Sequence, residues 1–236
     1  PKEEVPNALP PRQFPAGPQG PGEVGAYYTH LKYYDAWDAL WRISQDADVL
    51  VRFDEAGYKY VFWHGASYIP CWVTENDIWY TNEFCETIGE NTTSSQEPLS
   101  DRYCLFSHVR VIENHPARVV VHWRYALNDV NYRIAWPDSV SGWGDWCDEY
   151  YTLYPDGIGI RKITLFSSYR SDDVRHTDDE GHEWHEGIVV YHAYTTPEEA
   201  VHKDAVHVAN MNGELGIWRW NIPGEPETPT PEGSNI

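Results

Sequence analysis

The sequence between residues 48 and 220 is a series of short segments rich in β-branched and aromatic residues, each bounded by residues that favour turns. In the clearest segment, Val119, Val121, Trp123 and Tyr125 share one face of an extended strand, and the residues between them share the other face. Strong turn signals, such as the one at residues 155–157, separate the segments. The series predicts an all-β chain folded as an antiparallel β-sandwich, of either the jelly-roll or the mutarotase-like type.

One segment near the start of the chain has a different spacing. Leu31, Tyr34, Trp37 and Leu40 recur every three or four residues, which is typical of a helix with one apolar face. We therefore expect one short N-terminal helix within residues 27–43, followed only by strands. The predicted strands are 48–53, 58–63, 71–74, 77–80, 108–113, 118–127, 130–136, 149–154, 159–168, 183–192, 205–211 and 215–220.

Both ends of the chain are rich in proline. Residues 1–26 and 222–236 are predicted to be extended tails or linkers, because proline and glycine disfavour helices and central strands. They flank one predicted β-sandwich domain, residues 27–221. This organisation is typical of one module in a multi-module secreted protein, and a start at Pro1 indicates a processed chain or part of a longer one. The Pro-rich ends are also candidates for self-association, one tail lying along a neighbour's sheet edge.

Charge and composition narrow the classes of partner. The chain has 236 residues and a formal net charge of −20, a field that repels nucleic acid and anionic membranes. No run of about 18 apolar residues is present, so no membrane-spanning helix is predicted. Aromatic residues make up 15% of the chain, and such rings both fill β cores and stack on sugars.

The chain contains four cysteines: Cys71, Cys85, Cys104 and Cys147. None belongs to a CxxC pair, which argues against a zinc site built from cysteine. The even number suits an oxidising compartment. Because Cys85 and Cys104 flank a long polar stretch, we expect a disulfide that closes a loop there, with two buried free thiols as the alternative.

Basic residues cluster in the middle of this acidic chain. Strand alternation places His108 and Arg110 on one face, and it places His122 and Arg124 together in the same way. Neighbouring strands would join these pairs into a basic strip that could hold a polyanionic sugar, because arginine forks onto carboxylate or sulfate. We predict Arg110, Arg124 and Arg161 as substrate-binding residues. The alternative is ordinary cross-strand pairing with acidic residues.

The same residue types suit the cleavage of uronic-acid polysaccharides by β-elimination. One group must neutralise the carboxylate, a base must take the proton alpha to it, and an acid must protonate the leaving oxygen. Histidine, arginine and tyrosine can supply all three roles. We predict His122, Tyr151 and His108 as catalytic residues, and Trp63 and Trp143 as rings that bind the sugar.

Hydrolysis of a glycosidic bond is an alternative chemistry. It needs two carboxyl groups about 5 to 10 Å apart. Asp145, Asp148 and Glu149 are candidates for this pair, and the alternative is that they are acids of a surface loop.

A metal site is a further candidate. His182, His185 and Asp178 lie in an acidic, His-rich segment and are the candidate ligands for zinc or calcium. In a strand the two histidines would point to opposite faces, so the site requires a loop. The alternative is a solvated acidic loop.

Several stretches together resemble a known family. The resemblance lies in CWVTEN at 71–76, WYTNEF at 79–84, EPLSDR at 97–102, SHVR at 107–110, VVVHWRY at 119–125, GWGDW at 142–146, DEYY at 148–151, PDG at 155–157 and RK at 161–162. They resemble ulvan-lyase-like modules of polysaccharide lyase family 40, found in large secreted proteins of marine bacteria. The resemblance covers roughly residues 48 to 215 and implies a secreted β-sandwich that acts on or binds acidic algal polysaccharide. No catalytic residue is transferred from the family.

These observations lead to three functional hypotheses. The first is a secreted polysaccharide lyase that cleaves uronic-acid-containing polysaccharide. The second is a non-catalytic structural or adhesive module that assembles head to tail into an extracellular filament. The third is a carbohydrate-binding module that uses tryptophan and tyrosine without turnover. All three hypotheses place the protein and its partner outside the cell. In the first hypothesis the partner is an acidic polysaccharide.

Overall fold

A computed structural model of the chain describes residues 24–31, 47–54, 56–74, 77–81, 83–88, 94–168, 188–189, 195–219 and 232. The protein is all-β, and the described residues form three antiparallel sheets. Residues 1–170 form one compact unit and residues 171–236 a second. Each unit is described separately below.

The first unit begins with a five-stranded sheet. Its strands are β1 (Gly25–Thr29), β2 (Asp48–Arg52), β3 (Lys59–Phe62), β4 (Pro70–Val73) and β5 (Trp79–Thr81). Each strand pairs with the next one in sequence. The turn after β2 and the turn after β4 lie where the sequence predicted hairpins. In the turn after β2, Gly57 and the polar residues around it favour chain reversal.

The first unit also contains a four-stranded sheet. It consists of β6 (His108–His115), β7 (Arg118–Ala126), β8 (Trp146–Leu153) and β9 (Gly159–Phe166), again paired in sequence order. Short 3₁₀ turns at His64–Ala66 and Pro98–Ser100 occur in the connections before it. Both sheets are therefore meanders among the described strands, which differs from the Greek-key order of a jelly roll.

The two sheets of this unit pack face to face. The inner face of β7 carries the alternating residues identified in the sequence, and all of them are buried. Tyr151 on β8 contacts the rings of Tyr60 and Phe62 on β3, at centroid distances of 5.7 and 5.4 Å. Hydrogen bonds also join the sheets, since the Val111 amide donates to the Tyr28 hydroxyl at 2.9 Å. The first unit is thus an antiparallel sandwich with an aromatic core.

A carboxylate lies in this core. Glu149 on β8 has no exposed surface. Its two oxygens accept hydrogen bonds from the hydroxyls of Tyr125 and Tyr151, each at 2.5 Å. The guanidinium of Arg161 on β9 binds both oxygens, with Nε at 2.7 Å and Nη2 at 3.0 Å. Burial, and then the Glu149 charge, raise the pKa of both tyrosines, so their hydroxyls stay protonated and act as donors.

Two predicted elements differ from the structure. Residues 27–29 belong to β1 rather than to a helix, and residues 32–46, which hold most of the predicted helix, lie outside the described residues. The segment 130–136 is a loop rather than a strand. Asp129 explains the loop, because its side chain accepts hydrogen bonds from the amides of Asn131 and Arg133 and so competes with strand pairing.

The first strand begins before the predicted start of the β-sandwich domain. β1 begins at Gly25, which lies inside the range predicted as an N-terminal tail. Val24, just before it, is buried in the core, and its amide donates to Asp54 at 2.7 Å. The rest of the N-terminal range, and the C-terminal range apart from residue 232, lie outside the described residues.

The described part of the second unit is small. A short helix, α1 (Pro197–Ala200), precedes a two-stranded hairpin of β10 (Asp204–Ala209) and β11 (Leu215–Arg219). Asp204 forms an ion pair with Arg219 across the hairpin, with 2.8 Å between Asp204 Oδ1 and Arg219 Nε. In the portion of the chain that the structure describes, no helix has the length and apolarity needed to cross a membrane.

The buried Glu149 allows a test of the core. Arg161→Met would leave the carboxylate without its cation, and we expect the free energy of unfolding to fall by about 3–5 kcal/mol. Lys162→Met is the matched control, because the next residue on β9 points to the opposite face, and we expect a change within about 0.5 kcal/mol. Urea denaturation measures both, and equal effects of the two substitutions would contradict this account of the core.

Candidate functional site

The outer face of the four-stranded sheet gathers polar side chains from all four strands. The register aligns Arg110, His122, Tyr150 and Lys162 in one row across β6, β7, β8 and β9. The adjacent row contains His108, Arg124, Asp148 and Thr164. At about 4.8 Å between strands, each row extends about 14 Å. We call these eight residues the basic face.

His122 lies at the centre of the basic face and is held on three sides. Its Nδ1 accepts a hydrogen bond from Arg110 Nε at 3.1 Å, and its Nε2 lies 2.5 Å from Asp148 Oδ1. An arginine N–H can only donate, so Nδ1 is the acceptor in the first of these contacts. The ring also stacks on Tyr150 at 4.6 Å between centroids and is only 5% exposed. His122 therefore connects the cations of the face to its single carboxylate.

Arg124 contributes both charge and an apolar contact. Its Nη1 forms an ion pair with Asp148, and its guanidinium lies over the Trp146 ring at 5.0 Å. A guanidinium stacked in this way presents its edge as a fork for an anion. Asp148 is thus shared between Arg124 and His122, which fixes the orientation of both side chains.

A chain of aromatic rings continues from the basic face at Trp146. Trp146 contacts Trp143 at 5.5 Å and Phe106 at 5.9 Å between centroids. Phe106 contacts Tyr132, which stacks on Tyr103 at 5.9 Å. Trp143 is 57% exposed, and Tyr103 is also exposed. These five rings, the aromatic chain, offer flat surfaces of the kind on which sugars stack.

The charge of the basic face is opposite to that of the whole protein. Arg110, Arg124 and Lys162 carry permanent positive charges there, against the single carboxylate of Asp148. Glu113 lies on the same side of the sheet beyond the rows, and Arg118 pairs with it at 2.9 Å. In a protein of net charge −20, this face is a local positive site.

The structure brings together four of the predicted site residues: His108, Arg110, His122 and Arg124. Trp143 lies beside them through Trp146. Each pair shares a face as alternation predicted, and the register places His108 opposite Arg124 and Arg110 opposite His122.

Three predicted residues lie elsewhere. Tyr151 and Arg161 point into the core, where both bind Glu149. Trp63 follows β3 in the other sheet, and its ring contacts Trp79 at 5.7 Å. None of the three shares a face with His122, so the structure does not assemble the trio of His122, Tyr151 and His108.

Tyr150 and Lys162 lie on the basic face but are not among the predicted site residues. Each is the neighbour in sequence of a predicted site residue, Tyr151 or Arg161. The signal was present in the alternation of β8, because Cys147, Glu149 and Tyr151 cannot share a face with Tyr150. Strand alternation identifies the two faces, but only the contacts show which one is buried.

The carboxylates considered for glycoside hydrolysis are also separated. Asp148 is on the outer face, and Glu149 is on the inner face. Asp145 is 3% exposed and accepts a hydrogen bond from the Ser167 hydroxyl at 2.6 Å. Adjacent strand residues point in opposite directions, so Asp148 and Glu149 cannot act on one glycosidic bond.

The metal candidates His182, His185 and Asp178 lie outside the described residues. Within the residues that the structure does describe, no group of three or more His, Cys, Asp or Glu side chains is placed to hold a metal ion. Calcium or zinc binding by the acidic segment stays a prediction.

The predicted disulfide between Cys85 and Cys104 is not formed in the structure, where all four cysteines are free thiols. Cys104 is turned away, and its thiol donates to the carbonyl oxygen of His64 at 3.2 Å. Cys85 is in the core, where its amide donates to the Tyr125 hydroxyl at 2.9 Å. The spacing of the two cysteines in sequence does not reveal these different partners.

Comparison of the chain with protein-family models, curated proteins and solved structures finds no match in any of the three. The basic face and the aromatic chain therefore have to be interpreted from their own chemistry.

Asp145 generates a prediction about pH. Burial raises the pKa of its carboxyl to about 6, although the Ser167 hydroxyl opposes the shift. Folding then favours the protonated form, so this stabilisation is complete below the unfolded pKa of about 3.9 and is lost as the pH rises towards 6. We expect the wild type to lose about 2 kcal/mol more stability than Asp145→Asn between about pH 4 and pH 7.

Urea denaturation at several pH values measures this difference. Asp156→Asn, in an exposed turn, is the control and should run parallel to the wild type. Parallel curves for the wild type and Asp145→Asn would show that Asp145 does not titrate in this range.

Proposed function

We propose that this protein is an extracellular module that binds an anionic polysaccharide across its basic face and aromatic chain. The observation that carries the proposal is the continuity of the two surfaces through Trp146, which contacts both Arg124 and Trp143. An anionic sugar chain needs both kinds of contact. Its carboxylate or sulfate groups pair with arginine and lysine, and the faces of its rings stack on tryptophan and tyrosine.

The charge distribution supports a polyanion of moderate charge density. Net charge −20 disfavours nucleic acid, whose binding requires the neutralisation of many phosphates. A polysaccharide that carries one anion per sugar or disaccharide can place its charges on Arg110, Arg124 and Lys162 while its neutral surfaces contact the rings. Bidentate pairing to arginine adds geometric selectivity for planar carboxylate or for sulfate.

Binding can be tested with a panel of polyuronates, sulfated polysaccharides and neutral polysaccharides, followed by calorimetry. The double variant Arg110→Gln with Lys162→Gln removes two charge-assisted contacts, and we expect affinity for the best anionic ligand to fall about tenfold or more. Trp143→Ala should weaken the same ligand, because it removes an exposed stacking surface.

Arg118→Gln is the matched control. Arg118 is an exposed arginine on β7 of the same sheet, and it is already paired with Glu113. Its affinity should equal that of the wild type. Equal loss in the control and in the double variant, with all proteins folded, would indicate nonspecific charge attraction and refute the basic face as the site.

Lyase activity on the same ligand is a second candidate function. It is favoured by two acid–base groups on the basic face, the His108 imidazole and the Tyr150 hydroxyl. Neither has a hydrogen-bonding partner among the described residues, and Arg110 lies in the same row as Tyr150. His122 is less suited to take a proton, because both of its nitrogens are engaged. In this proposal Arg110 neutralises the uronate, and Tyr150 and His108 transfer the protons.

Lyase activity would appear as a rise in ultraviolet absorbance from unsaturated uronate ends. We expect Tyr150→Phe to reduce the rate by about 100-fold or more, as is usual for the loss of an acid–base group. Tyr151→Phe is the adjacent control on the inner face and should retain activity in whatever fraction is folded. A flat trace for the wild type on every anionic polysaccharide that it binds would leave binding as the whole function.

A further inference from the structure

Three of the four edge strands in the first unit are protected against pairing with another chain. β5 has only three residues. The side chain of Asn114 covers β1, because its Oδ1 accepts from the Ala26 amide at 3.0 Å and its Nδ2 donates to the Ala26 carbonyl at 2.9 Å. β6 has a register shift between Val111 and Glu113, and the Val111 amide donates to the Tyr28 hydroxyl. Short length, irregular register and covering groups all blunt a sheet edge.

β9 is an edge of a different kind. It is eight residues long, contains no proline and pairs with β8 along its whole length without a register shift. No described strand pairs with its second edge. Three large apolar side chains on it are exposed: Ile160 at 57%, Leu165 at 49% and Phe166 at 53%. A long, regular and partly apolar edge is a template for a further strand.

We propose that β9 pairs antiparallel with β9 of a second copy of this chain, which joins two four-stranded sheets into one continuous sheet. A second copy is the occupant because this strand is complementary to itself about a twofold axis. With Ile163 on the axis, Ile160 lies opposite the partner's Phe166, so the exposed apolar residues of the outer face cover one another. Lys162 then lies opposite the partner's Thr164.

The charges of β9 favour this register. A register centred on Lys162 would place two lysines directly opposite each other, which is destabilising. In the register centred on Ile163 the two exposed lysines are only diagonal neighbours. On the inner face, Leu165 lies opposite the partner's Arg161, whose charge is already paired with Glu149. Pairing over residues 160–166 adds about six to eight backbone hydrogen bonds, depending on which residues point outwards.

The dimer would extend the basic face across the twofold axis. One row of the face would continue into the other row of the partner, so that eight residues follow one another across the joined sheet: Arg110, His122, Tyr150 and Lys162, then the partner's Thr164, the partner's Asp148, the partner's Arg124 and the partner's His108. The combined row would be about 34 Å long. Its use as a longer binding surface rests on the proposed function, whereas the dimer itself does not.

The mass of the full chain in solution, with no ligand present, tests the pairing. We expect sedimentation equilibrium over about 1 to 500 µM to show monomers in exchange with dimers, because edge pairing alone is a small interface of about micromolar affinity. Each chain carries a net charge of −20, so repulsion opposes association, and added sodium chloride should increase the dimer fraction by screening it. A monomer throughout this range at high salt would overturn the proposal.

Substitutions at exposed positions of β9 test the register. Ile160→Lys places a charge opposite the partner's Phe166 at two symmetric points, and we expect the dissociation constant of the dimer to rise about tenfold or more. Phe166→Glu should have a similar effect. The double variant Ile160→Lys with Phe166→Glu places opposite charges across the interface, so it should recover most of the lost affinity.

Ile112→Lys is the matched control, because Ile112 is an exposed apolar residue, at 49%, on the opposite edge of the same sheet. Its dimer should form as readily as that of the wild type, with circular dichroism confirming that every variant is folded. Equal loss in this control would show nonspecific apolar association and refute the β9 interface. A double variant that associates no better than the single variants would refute the register.

Discussion

The buried carboxylate of Glu149 organises the inner face of the four-stranded sheet. An ionised group without water is costly unless every oxygen is paired, and here one guanidinium and two phenols supply four hydrogen bonds. Those donors come from three adjacent strands, so the network fixes the register of β7, β8 and β9. It also orients Tyr151, which packs against the aromatic rings of the opposite sheet. If β8 slipped by one residue relative to its neighbouring strands, Glu149 would move to the outer face and Arg161 would be buried without a partner.

The same register produces the basic face. Each of β7, β8 and β9 contributes one residue to the core network and its neighbour to the outer surface, as Asp148 and Glu149 show on β8. Lys162 follows Arg161 on β9 in the same way. The outer rows are therefore a consequence of the inner packing, because the side chains of a strand must alternate. This coupling lets an acidic protein hold several cations at close range on a rigid surface rather than on mobile loops.

The fold class followed from local signals, since turn chemistry and alternation can be read over ten residues or fewer. The pairing of His108 with Arg124 was also within reach, because both lie on adjacent hairpin strands. The position of Tyr151 and Arg161 in the core could not be predicted, because a polar residue on a strand gives no sign of whether its face is buried with a partner. Segment 130–136 has strand-like composition, and Asp129 overrides it with side-chain hydrogen bonds to the backbone. Cysteine pairing depends on contacts between distant segments, which spacing along the chain does not encode.

The position of His122 explains why the basic face is stable despite its concentration of positive charge. The imidazole accepts a hydrogen bond from Arg110 on one side and contacts Asp148 on the other, so it lies between the carboxylate and a cation that does not touch it. Arg124 takes the other oxygen of Asp148, so one acid compensates two arginines. Lys162, at the end of the row, is left with no ion pair among the described residues. Of the three cations, Lys162 therefore carries the charge that is least offset within the protein, whereas Arg110 and Arg124 share the single charge of Asp148.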